Sequence, residues 1–153
     1  MYKYILLLIS AFNISIAHAD ILSQKQRNNI VDLTMKNFWS KAKNSNGEFI
    51  QPKSDAERNT VPVPIEISNT AISAGELSGL AQWCNLDWKT NYASLMHSAR
   101  SKKVFTDTQL AFIAVNHGIA QGMIESSIAK INQECTSKEK SVISEKLKNA
   151  KYL

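Results

Sequence analysis

The chain has 153 residues, of which 44% are hydrophobic and 20% charged, with a formal net charge of +5. That balance supplies enough apolar surface for a buried core, so wholesale disorder and fibrous repeats are excluded, and the length suits one globular domain. The basic residues are dispersed, with short concentrations only at Arg100, Lys102 and Lys103 and along Lys138, Lys140, Lys146, Lys148 and Lys151. A nucleic-acid binder is expected to show a basic stripe with interleaved aromatic residues, so no nucleic-acid partner is predicted.

Residues 1–19 carry Lys3, then an apolar run from Tyr4 through Phe12, then Ala17, His18 and Ala19. This charged, apolar and small-residue order is that of a secretory signal peptide, with Asp20 the expected first mature residue. Ser10, Asn13 and Ser15 interrupt the run well short of the roughly 20 apolar residues that a membrane span needs. Removal would leave 134 residues with a net charge of plus four. The predicted mature product is soluble, periplasmic or secreted, with no stable membrane insertion.

The segment from Ile21 to about Lys43 has Ile30, Val31, Met35, Phe38, Trp39 and Ala42 at helical spacing, and its polar first third, Ser23 to Asn29, is expected to fray. From about residue 44 to 69 the pattern dissolves into a long loop containing Pro52, Pro62 and Pro64. Val61 to Ile67 is predicted to run extended, because each proline disfavours helical geometry in the residue before it. Long loops in compact domains are usually functional or disordered, so Val61, Pro62, Val63, Pro64 and Ile65 form a candidate binding segment.

Helical pattern resumes at Thr70 and runs to Cys84. Ala71, Gly75 and Gly79 fall four apart on it, a small-residue row that predicts close approach by another helix of the same chain. Asp87 reads as the N-cap of a third helix bearing Trp88, Tyr92, Leu95, Met96 and Ala99, closed by the basic cluster from Arg100 to Lys103. Thr106 to Gln109 is a capping-box signature for the longest helix, running to about Glu134. That helix is apolar nearly all round and is expected at the centre of the bundle. A second capping box, Thr136 to Glu139, starts the last helix, with Val142, Ile143, Leu147 and Ala150 as its buried stripe. The predicted fold is all-α, a small orthogonal or up-down bundle of four to five helices.

Cys84 and Cys135 are the only cysteines, too far apart for a redox motif and without the clustered histidines of a zinc site. In an oxidising compartment they predict one structural disulfide. Closing that loop is worth about 4 kcal/mol in the chain-entropy account, and Trp83 and Trp88 are expected to shield it.

The polar constellation that invites chemistry is His117, Gln121 and Glu125, four apart on one face of the longest helix, with Gly118 and Gly122 as a second small-residue row beside them. His117 and Glu125 could in principle be metal ligands or an acid and base pair. They stand two turns apart, however, about 12 Å by the helix rise, too far for one metal without further ligands such as His97. Hydrogen-bonded contacts between helices are the expected role of the row. Glu76 and Asp87 read as isolated acids with ordinary helix-start roles. No nucleophile elbow, phosphate-cradling glycine loop or cofactor motif occurs, so no catalytic residue, metal or cofactor is predicted.

The leading expectation is therefore a non-enzymatic exported helical protein that binds another protein in the bacterial envelope or outside it, as immunity proteins, inhibitors and secretion accessories do. A periplasmic disulfide-stabilised chaperone is the first alternative, and a small metal-dependent enzyme using His117 and Glu125 the second. The sequence names neither the protein partner nor the oligomeric state.

Overall fold

The computed structural model describes residues 21–153; the signal-peptide assignment lies outside them. The helices are α1 (Gln24–Phe38), α2 (Asp55–Arg58), α3 (Ile65–Trp83), α4 (Trp88–Ser101), α5 (Asp107–Ile131) and α6 (Ser137–Asn149). The fold is all-α, as predicted, and the one helix beyond the expected number is the four-residue α2.

Local chemistry sets most boundaries. Ser23 and Gln26 form a capping box on α1, so its polar first turns are anchored where fraying was expected. Asp87 caps α4 by accepting from the Lys89 and Thr90 amides at 3.0 and 3.3 Å. The Thr90 hydroxyl also donates to this carboxylate, and that bond above all holds its pKa below the ordinary value. Thr106 with Gln109 and Thr136 with Glu139 close capping boxes on α5 and α6. Helix α5 stops at Ile131, earlier than expected, because Asn132 turns left-handed with φ 45°.

Two other expectations need correction. The extended reading of Val61–Ile67 holds only to Pro64, which is the extended N-cap of α3, and Ile65 is already helical. A proline restricts the residue before it and leaves the residue after it free to enter a helix. The long loop is also tied to the bundle along its length. The Trp39 indole donates to the Arg58 carbonyl at 3.0 Å, Ser40 and Ala42 pair with Ile50 through their backbones, and Ile50 and Val63 are buried.

Helices α3 and α5 form the axis of the molecule and run parallel. Their contacts climb in step, from Pro62 with Gln109, through Gly75 with His117 and Gly79 with Gln121, to Trp83 with Gln133. A disulfide joins Cys84 to Cys135 at the top of this pair, with the Cα atoms 5.2 Å apart. The approach is close because Gly75 and Gly79 have no side chain. A Cβ on Gly75 would lie 2.3 Å from the His117 carbonyl oxygen, and one on Gly79 would lie 2.7 Å from the Ile124 Cβ.

Helix α1 lies antiparallel against this axis, with Thr34 bonded to Asn116 at 3.0 Å and Phe38 edge-on to Phe112. The carboxyl-terminal tail after α6 returns over α4, where the Ser98 hydroxyl meets the Tyr152 and Leu153 carbonyls at 2.6 and 2.9 Å. Among the described residues no helix is long and apolar enough to cross a membrane.

Candidate functional site

The predicted polar row lies on the face of α5 that meets α3, and each member has its own environment. His117 is 2% exposed, and its Nε2 lies 2.9 Å from the Ser78 hydroxyl of α3. Gln121 donates to the Gln82 side chain at 2.8 Å. Glu125 borders a shallow groove with Trp83 and Glu134 near the disulfide, and His97 is exposed on α4. His117 and Gln121 thus bond to α3, Glu125 only borders the groove, and the structure does not bring His117 and Glu125 together at one centre. Among the described residues no three His, Cys, Asp or Glu side chains converge where a metal could bind.

Ser78 and His117 have the separation of a nucleophile and its base. Their surroundings belong to a core instead. Ser78 is fully buried, and its Oγ also accepts from Asn91 Nδ2 at 2.9 Å. The second Asn91 amide hydrogen goes to the Ala74 carbonyl at 3.0 Å, and Asn91 Oδ1 accepts from the Tyr152 hydroxyl. Ser78 Oγ and Nε2 of the imidazole share one hydrogen bond, and the tautomer of His117 sets which of the two donates. Burial lowers the His117 pKa to about 4, and the Tyr92 ring covers the imidazole with centroids 4.8 Å apart. Burial also raises the pKa of the Tyr152 phenol. The network thus links Tyr152 through Asn91 and Ser78 to His117. Sequence reading identified His117 alone, since the other three residues reach it from α3, α4 and the tail.

A second buried polar centre was missed. Glu76 lies in the middle of α3, not at a helix start, and pairs with Arg27 of α1; both are buried. Glu76 also accepts from the Leu22 amide at 2.6 Å, and Arg27 donates to the Leu22 and Asn69 carbonyls and to the Ser73 hydroxyl. The signal was present in the sequence. Arg27 continues the stripe of Ile30, Val31, Thr34 and Phe38, and Glu76 is the only charge between Ile67 and Trp83. Beside this pair lies a polar cleft of about 310 Å³, walled by Gln24, Arg27, Asn69, Thr70 and Ser73, and on the other side by Lys151 and Tyr152.

No family model, curated protein or solved structure matches the chain.

The candidate binding segment divides. Val63 is buried and the Pro62 carbonyl accepts from the Gln109 side chain at 2.9 Å, while Val61, Pro64 and Ile65 stay exposed. A larger surface was not anticipated. Helix α5 was expected to be surrounded, yet one side of it faces away from the other helices. Gly118 is exposed, and a Cβ on either Gly118 or Gly122 would meet nothing within 4 Å. Ala111, Val115, Gly118 and Gly122 share this side by helical spacing, and no charged residue occurs between Asp107 and Glu125.

Proposed function

We propose that the chain is an exported, non-enzymatic protein that binds another protein, and that the partner packs against the open side of α5. The observation that carries this reading is the pair Gly118 and Gly122. A glycine inside a helix costs roughly 0.5–1 kcal/mol relative to alanine. For Gly75 and Gly79 the close crossing of α3 and α5 offsets that cost, whereas nothing among the described residues does so for Gly118 and Gly122. An uncharged, small-residue helix face suits a partner element that approaches closely, as at helix crossings generally. The classes that fit are immunity proteins, inhibitors of envelope enzymes and secretion accessories. Export agrees with the disulfide.

The participation of His117 in a buried hydrogen-bond network, with the imidazole turned to Ser78, argues for a structural role over a metal-dependent or acid and base mechanism. The test is affinity capture with the tagged mature protein from envelope and culture-medium extracts, beside a Gly118→Arg/Gly122→Arg variant. The wild type should retain a specific protein that the folded variant loses. Reproducible capture of nothing, or equal capture by both proteins, overturns the reading.

A further inference from the structure

The polar cleft beside Arg27 gathers groups whose hydrogen-bonding capacity the fold leaves unmet. Its walls come from α1, α3 and the carboxyl-terminal tail and none comes from α5, so it is separate from the partner surface proposed above. Asn69 lines the cleft, and its Oδ1 is buried without a hydrogen-bond partner, while the backbone carbonyl of the same residue is held by Arg27 at 3.3 Å. A buried polar atom without a partner is uncommon in a native structure and calls for a group that completes it. The Thr70 hydroxyl donates to the Glu66 carbonyl and Gln24 donates to Asn28, both at 2.9 Å, which leaves Thr70 Oγ1 and Gln24 Oε1 as acceptors. Ser73 accepts from Arg27 at 3.0 Å and keeps its own hydroxyl hydrogen to give.

The opposite wall adds charge and an apolar face. The Arg27 guanidinium is neutralised by Glu76, but the Lys151 ammonium has no ion-pair partner among the described residues, and no Asp or Glu lines the cleft. Tyr152 has its hydroxyl bonded to Asn91, so what it offers the cleft is ring carbon.

We propose that this cleft is a binding site for one acidic sugar ring, with the carboxylate on Lys151 and the Ser73 hydroxyl and the sugar hydroxyls donating to Asn69, Thr70 and Gln24. Each part of the ligand answers a group on the walls. An unpaired ammonium beside a free hydroxyl hydrogen selects a carboxylate, through charge-assisted hydrogen bonds. Three acceptors with no donor select a molecule rich in hydroxyl groups, and the Tyr152 ring suits the C–H face of such a ring. An amino acid fits less well, because its ammonium would face two cationic side chains and no carboxylate. Phosphate or a simple carboxylate satisfies Lys151 but leaves the Asn69 oxygen without a donor. A volume of about 310 Å³ is at the small end of ligand sites, which suits a single ring and not a chain of them.

The test is an NMR titration of the ¹⁵N-labelled mature protein with D-glucuronate and D-galacturonate, beside D-glucose, acetate and phosphate. At least one of the two uronates should give saturable shifts of the Asn69, Thr70, Ser73 and Tyr152 amides at millimolar concentration, with the α5 amides unmoved. Glucose and acetate, which each carry half of the recognised chemistry, should bind at least about tenfold more weakly, the loss of one hydrogen bond to a charged group. Lys151→Met should weaken the uronate by a similar factor. Asn69→Ala should also weaken it while keeping or raising the urea midpoint of the free protein, because it removes a buried acceptor that has no partner; a residue with a merely structural role would lose stability instead. The proposal is overturned if neither uronate moves the cleft amides, if acetate or phosphate binds as tightly as the uronate, if glucose does so, or if both variants bind like the wild type.

Discussion

The two glycine pairs of this protein have the same spacing and opposite surroundings. Gly75 and Gly79 on α3 are buried against the α5 backbone, with no room for one more carbon, while Gly118 and Gly122 on α5 face open space. The contrast separates two meanings of a small residue in a helix. In α3 the missing side chain is a condition of the fold, because the parallel pair could not otherwise close to this distance. In α5 nothing among the described residues requires it, and its cause is sought in what binds there.

The largest expected effect comes from releasing the clamp at the end of the tight pair. Replacing Cys84 and Cys135 by serine should lower stability by about 4 kcal/mol, read as a shift in the urea midpoint. A variant as stable as the wild type would mean that the glycine crossing holds the helices without the bridge.

Next is Gly75→Ala, which places a methyl group against a carbonyl oxygen that cannot turn aside. A loss of about 3 kcal/mol is expected, the upper range for an overpacked core and well above the small helix-propensity gain. Stabilisation by this change would show that the crossing opens to admit a methyl group.

Acid probes the same crossing from the His117 side. The folded-state pKa of His117 is lowered to about 4 from 6.5, so the unfolded chain takes up the proton first as pH falls. Stability is then full above pH 6.5 and declines as pH falls toward 4, by at most about 3 kcal/mol at 1.36 kcal/mol per pH unit. Denaturation at several pH values should show this slope, and His117→Gln should flatten it; an equal slope in both proteins would assign the acid sensitivity elsewhere.

The smallest effect has the opposite sign. Gly118→Ala and Gly122→Ala should each raise the stability of the isolated protein by roughly 0.5–1 kcal/mol, because the added methyl group meets no neighbour. A loss on either substitution would erase the difference between the two pairs.

What the sequence by itself determined is local. Ser23, Asp87, Thr106 and Thr136 begin helices because each side chain bonds an amide within three residues, a reach that the order of residues fully specifies. The cysteine pair and the row of Ala71, Gly75 and Gly79 were also legible, as a staple and as a close helix contact within the chain. The tertiary structure decided which glycine pair would be enclosed, since both have one spacing and only the arrangement of α1, α3 and α4 around α5 distinguishes them. It likewise decided that Arg27 meets Glu76, 49 positions away, and that Tyr152 closes a network reaching Asn91, 61 positions away. Partners at such separations are set by how whole helices pack, and periodicity reports only which side of a helix is buried, never against what.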